Sequence, residues 1–343
     1  MTNDPGASAP VRTDKLRSGK NGMSSDPGID PALFHPEAIT ADTAAFNETV
    51  AASFATAPAI HERQPQALRD ERRVDGGPFG QLVFDDSAQE RSIPEPAGAI
   101  PVRIFRSDGE SRGVYLYIHG GGWVLGRADE QDGLLVKSAA RTGCVVVSVD
   151  YRLAPEHPYP AGPDDCEAAA VWLAEHAKAE FGSDHLVIGG TSAGGHLAAV
   201  TLLRMRDRHG YTDFRAANLT CGVFDLSETP SQSRAPQQYM IPLPTMRWFY
   251  DHYVPTQDRR DPDVSPLYAS LHEMPPALFT IGTLDPLLDD TLYMYSRWRA
   301  AGSEADIAVY PGGVHGFNFL PGLRIGREAD RRVDQFLAAA VAE

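Results

Sequence analysis

Cysteine is scarce in this chain: Cys144, Cys166 and Cys221 are the only three in 343 residues. An odd and sparse set cannot build the disulfide framework of a small secreted domain, and it reads as free thiols in reducing surroundings. Nor is there an apolar run of membrane-spanning length, or an N-terminal stretch with the apolar centre of a signal peptide. With the thiols, this points to a cytoplasmic location, since secretion would need a leader the sequence lacks. Positive charge is also in deficit, with 31 Lys and Arg against 46 Asp and Glu, a net charge of −15 and no basic patch. That balance argues against nucleic acid or an anionic membrane as a partner. No HExxH helix and no Cys/His cluster suggests a metal ion, and no internal repeat is visible.

The chain does contain alternating apolar strand-like and helix-like segments, running without a linker from about residue 80 to the terminus. Such alternation predicts an α/β fold with a mostly parallel, doubly wound sheet and helices on both faces. Residues 1–25 are rich in Gly, Ser, Asp, Lys and Pro and are expected to form a disordered arm. Phe46, Val50 and Phe54 then recur at helical spacing after Asp42, which is the expected helix cap. A second addition, about 226–261, interrupts the alternation and carries Tyr239, Met240, Ile241, Met246, Trp248, Phe249, Tyr250 and Tyr253.

Gly190-Thr191-Ser192-Ala193-Gly194 lies between the apolar run Leu186-Val187-Ile188 and a helix-like segment. A Gly-x-Ser-x-Gly in that context is the signature of a strained turn that pushes a nucleophilic hydroxyl out above the sheet. Upstream, His119-Gly120-Gly121-Gly122-Trp123 closes the apolar run Val114 to Ile118. Consecutive glycines leave backbone N–H groups free to face a substrate oxygen. The N–H groups of Gly121 and Gly122, with that of Ala193 after the serine, are therefore the expected oxyanion donors. His119 is read as a structural residue of that loop.

A serine hydroxyl needs a histidine to take its proton, and that histidine needs a carboxylate to hold one tautomer. Beyond Ser192, the apolar run Ala277 to Ile281 leads to Asp285, and the run Ile307 to Tyr310 leads to His315. The order Ser, acid, His is the one such a sheet uses. Asp289 and Asp290 lie one turn further on and are explained by the helix dipole alone.

These motifs, with Tyr151-Arg152-Leu153-Ala154-Pro155-Glu156-His157-Pro158 and Asp285-Pro286-Leu287, resemble the hormone-sensitive-lipase-like, or bacterial family IV, esterases of the α/β-hydrolase superfamily. The likeness covers about residue 76 onward. Most of that family has Asp where this chain has Thr191, so the resemblance is to the branch whose elbow reads Gly-Thr-Ser-Ala-Gly-Gly. It implies a catalytic domain over 76–343 with a cap built from helices in 26–75 and from the insertion 226–261. It implies hydrolysis of short to medium acyl esters through Ser192, His315 and Asp285, without a cofactor. Trp123, Tyr239, Met240 and Trp248 become candidate substrate contacts, a small-molecule ester the partner, and a homodimer across the edge strand near Asp306 to Tyr310 the expected assembly. An amidase or formamidase on the same three residues, or a small-molecule receptor that has lost catalysis, are the alternatives; matched ester and amide substrates separate the first from an esterase.

Overall fold

The computed structural model describes residues 28–75, 82–94, 98–106, 109–234 and 240–342. The chain divides into two units, Met1–Asp30 and Pro31–Glu343, and the fold described is that of the second. The arm expected for 1–25 lies outside the described residues.

Among the described residues, eight strands form one sheet: β1 (Gln89–Ile93), β2 (Ile100–Phe105), β3 (Gly113–Ile118), β4 (Cys144–Val149), β5 (Leu186–Thr191), β6 (Ala216–Thr220), β7 (Ala277–Gly282) and β8 (Ala305–Tyr310). Their order is β1-β2-β4-β3-β5-β6-β7-β8. β2 pairs antiparallel with β1 and β4, and every pairing from β4 to β8 is parallel. Helices intervene: α1 (Ala41–Thr56), α2 (Pro65–Asp75), α3 (Asp132–Thr142), α4 (Ala161–Phe181), α5 (Ala193–His209), α6 (Pro230–Ser233), α7 (Leu243–Tyr253), α8 (Leu288–Ala300) and α9 (Arg324–Ala340). The fold is that of an α/β hydrolase.

The central strands are buried along their whole length, as expected of parallel strands covered on both faces. Alternation divides them between two cores. From β3, Val114, Leu116 and Ile118 join the larger core with α4 and α5 residues such as Leu173 and Leu197. Tyr115 and Tyr117 face the other way, toward Leu135 of α3 and Leu337 of α9. β8 is an edge strand and only partly buried.

The first helix corrects an expectation. Thr40, not Asp42, is the cap residue of α1, and Asp42 sits in its first turn, where its carboxylate accepts a hydrogen bond from the Thr40 hydroxyl. The fully buried residues of α1 are Thr43, Asn47 and Val50, while Phe46 and Phe54 are half-buried. Its docking is therefore partly polar: Asn47 Nδ2 donates to the carbonyl of Gly312, 2.8 Å away in the loop after β8. Among its described residues, the stretch 226–261 holds two helices, α6 and α7. His61 Nδ1 and Thr245 Oγ1, 3.0 Å apart, tie the segment between α1 and α2 to α7.

A buried polar tie joins three parts of the molecule. His196 of α5 accepts from Trp123 Nε1 at Nδ1, 3.0 Å away, and donates from Nε2 to the carbonyl of Val264 at 2.8 Å. One nitrogen must accept and the other donate, so the ring is neutral here. Burial pushes its pKa down to about 4. The unfolded chain takes up a proton as the pH falls through about 6.5 while the folded one does not, so stability drops between about pH 6.5 and 4, by about 3 kcal/mol for this residue. Urea unfolding midpoints across that range should fall with acidity in the wild type and fall less steeply in His196→Gln; equal slopes would show that His196 does not carry the effect.

Candidate active site

The turn from β5 into α5 is built on close approach. Ser192 holds φ 60° and ψ −123°, a sparsely populated conformation for a residue with a side chain. Its N–H donates to the carbonyl of Thr220 on β6 at 2.9 Å. The flanking glycines have no room for more: a Cβ on Gly190 would lie 2.3 Å from the Ile118 carbonyl oxygen, and one on Gly194 only 2.0 Å from the same atom. The hydroxyl is thereby presented at the end of β5, beyond the C-terminal ends of the parallel strands.

Two loops after neighbouring strands bring their side chains to it. Asp285 follows β7 and His315 follows β8, both buried. His315 Nε2 lies 2.9 Å from Ser192 Oγ, and His315 Nδ1 lies 3.0 and 3.1 Å from the Asp285 carboxylate oxygens. The backbone N–H of Leu287 donates to the same carboxylate at 2.9 Å, so Asp285 is held from two sides. Asp289 and Asp290 are occupied elsewhere. Asp289 accepts from the N–H of Ser231. Asp290 accepts from the N–H groups of Phe224 and Asp225, the hydroxyl of Thr229 and the amide of Gln232. Burial pushes the Asp290 carboxyl up to about 7 against the pull of those four donors; its geometry is that of a clamp on the loop after β6.

The glycine loop after β3 runs beside Ser192. Its turn is closed by the Gly121 carbonyl, which accepts from the N–H groups of Val124 and Leu125. Gly121 and Gly122 line the cavity in front of the serine. Ala193 opens α5 directly after Ser192 and is fully buried, outside the cavity lining. Among the described residues, no acceptor takes the N–H of Gly121, Gly122 or Ala193. The loop is braced from behind. Tyr151 stacks on His119 at 4.2 Å between ring centres and donates its hydroxyl proton to the His119 carbonyl at 3.0 Å. The N–H of Ala154 donates to the Trp123 carbonyl at 2.9 Å, and Arg69 of α2 donates to the carbonyls of Val124 and Ala154. His119 is buried, with its Nδ1 2.8 Å from the carbonyl of Gly120, and burial holds its pKa below the usual histidine range.

Ser192 and His315 open onto a cavity of about 930 Å³. One wall comes from Phe54, Ile60 and Leu68, another from Met246, Phe249 and Tyr250 of α7. Met240 lines it too, whereas Tyr239 lies outside the described residues. Trp123 borders the cavity, yet the residue is only 2% exposed, with its ring stacked on Tyr253 at 4.4 Å and tied to His196. Trp248 does not line it: the ring lies against Phe249 and His252. The reason is helical phase, since Thr245, Met246, Phe249 and Tyr250 share one face of α7 and position 248 falls outside it. Phe249 was hidden in the sequence among seven other apolar or aromatic residues, although its spacing from Met246 was a usable signal. Gln131, Lys137, Asn318 and Asp330 also line the cavity; they come from distant segments, and no pattern along the chain links them.

A description of the alpha/beta hydrolase fold matches residues 115–319. The chain belongs to the hormone-sensitive-lipase-like esterases of the α/β-hydrolase fold. It is 34% identical over 307 residues to the carboxylic ester hydrolase LipN of Mycobacterium tuberculosis, covering 87% of this chain and 78% of LipN. It is 35% identical over 227 residues to an ethyl acetate hydrolase of Pseudomonas putida, covering 64% of this chain and 71% of that protein. Among solved structures, the hyperthermophilic esterase of the archaeon Pyrobaculum calidifontis superposes with a TM-score of 0.79 at 32% identity, over 87% of this chain and 98% of the other. Gly194→Ala must displace the Ile118 carbonyl, and should cost about 2 kcal/mol or more in chemical unfolding along with most of the activity; wild-type stability in that variant would contradict the close approach.

Proposed function

We propose that this enzyme hydrolyses carboxylic esters of short to medium acyl chain through a covalent acyl-enzyme formed on Ser192. The observation that carries the reading is the chain of contacts from Asp285 through both nitrogens of His315 to the Ser192 hydroxyl, with distances of 3.0 and 2.9 Å. Ser192 Oγ attacks the ester carbonyl carbon as its proton passes to His315 Nε2. Asp285 keeps Nδ1 protonated and stabilises the imidazolium. The carbonyl oxygen gains the electron pair and faces the N–H groups of Gly121, Gly122 and Ala193. Collapse breaks the bond to the alcohol, which leaves with the proton from His315. Water then attacks the acyl carbon, giving its proton to the same histidine, and the acid departs as Ser192 recovers its own.

Because the three side chains act as a unit, Ser192→Ala and His315→Ala should each lower kcat on the order of 10⁶-fold, with Asp285→Asn retaining more. Hydrolysis of a p-nitrophenyl ester measures this, and a fluorophosphonate probe should modify Ser192 alone. Activity surviving in Ser192→Ala, or the probe on another residue, would overturn the reading.

The acyl range follows from the walls. We read α1, α2 and the 226–261 helices as a cap that closes an apolar pocket of finite depth over the serine, and the ethyl acetate hydrolase among the relatives supports small substrates. The Phe249 ring occupies the space in front of Gly122, where an added Cβ would lie 2.3 Å from it. Phe249→Ala should raise kcat/KM for octanoyl relative to acetyl esters, at a stability cost of about 3 kcal/mol. An unchanged ratio would remove Phe249 from the acyl pocket. For assembly, we read β8 as the pairing edge of a homodimer, and a single-chain mass by light scattering at micromolar concentration would end that idea.

A further inference from the structure

Cys221 is the residue immediately beyond β6, and nothing in the acyl-enzyme chemistry requires a thiol there. It is fully buried and holds φ 48°, in the left-handed region that residues with side chains seldom occupy. Its N–H donates to the carbonyl of Thr280 on β7 at 2.8 Å, which pins the strained turn in place. The result is that the Cys221 sulfur, a carboxylate oxygen of Asp285 and a ring nitrogen of His315 all lie within 4.8 Å of one another. Both nitrogens of His315 are already engaged, by Asp285 and by Ser192, so the open relation in this cluster is between the thiol and the carboxylate. Asp285 takes His315 on one side and the N–H of Leu287 on another, and a carboxylate has acceptor capacity to spare.

We propose that Cys221 is a positioning residue, whose S–H donates a hydrogen bond to the Asp285 carboxylate and holds it in line with His315. Burial, and then the negative charge of Asp285, push the thiol well above its ordinary pKa, so it keeps the proton it donates. With its sulfur within 4.8 Å of both Asp285 and His315, the side chain sits between the loop that carries the base and the loop that carries the acid. Its effect is exerted when His315 becomes an imidazolium and Asp285 must not turn away, which is a demand of the transition state and not of substrate binding.

This rests on the acyl-enzyme reading above, and its test has one arm that does not depend on hydrolysis. In the infrared spectrum of the full-length enzyme, the S–H stretch that disappears in Cys221→Ser should lie below those of Cys144 and Cys166. It should move toward them in Asp285→Asn, where the acceptor is weaker. In kinetics, Cys221→Ala should lower kcat roughly five- to tenfold with KM unchanged, the loss of one weak donor to a charged acceptor. Cys221→Ser, which keeps a donor at that place, should recover most of the loss. An S–H band indifferent to Asp285→Asn overturns the proposal, as does full kcat in Cys221→Ala, or a defect that appears in KM and is not relieved by serine. If Cys221→Ala does not fold, the serine variant and the infrared arm still decide. A Ser192→Ala enzyme that keeps its activity would instead sink the acyl-enzyme reading and leave the infrared result standing on its own.

Discussion

The crossing of β5 and α5 beneath Ser192 is the constraint from which the rest of the site is built. The chain must reverse from strand to helix in one residue while passing against the end of β3, and the Ile118 carbonyl blocks any Cβ at Gly190 or Gly194. A serine in an unfavourable φ/ψ region costs of order 1–3 kcal/mol, and it persists only where the surroundings over-determine it. Here they do so through the parallel ladders of β5 with β3 and β6 and the hydrogen bond from Ser192 N–H to Thr220. The elbow is rigid because the sheet is rigid.

Around that fixed point, the other functional groups sit on loops, each secured by hydrogen bonds of its own. Asp285 is held by the Leu287 N–H, and the glycine loop by Tyr151, Ala154 and Arg69. His196 adds a third layer, linking the loop's Trp123 to Val264. Such buried polar ties are worth having only when fully satisfied, and His196 is satisfied solely as a neutral ring. The acid sensitivity expected of the fold and the bracing of the glycine loop thus involve the same side chain.

The cavity has a different character from the elbow. Much of its wall comes from α1, the segment around Ile60, α2 and α7, none of which belongs to the sheet. Its shape is set by side chains packing on one another, as with Phe249 against the glycine loop, so it can vary without disturbing the backbone that carries Ser192. In the function proposed above, reactivity is tied to the sheet and substrate range to what lies over it.

Much of this was legible along the chain because its causes are local. Uninterrupted apolar runs mark strands buried on both faces, which is why β3, β5 and β7 could be read. Glycines flanking a serine between strand and helix mark a close crossing, and the order of Ser192, Asp285 and His315 follows the order of the strand ends. What required the tertiary structure depends on distant neighbours. The polar docking face of α1, with Asn47 bonded to Gly312, has no hydrophobic periodicity to betray it. Facing the cavity from α7 fell to Phe249 and not to Trp248, because a tryptophan and a phenylalanine one residue apart look equally suitable until the rotation of the helix is known. Cys221 reads in the sequence only as one of three free thiols; the register of β6 against β7 and the return of two loops bring its sulfur to Asp285 and His315. Local sterics and burial write themselves into neighbouring residues, whereas side chains that meet across the fold leave no mark in either segment alone.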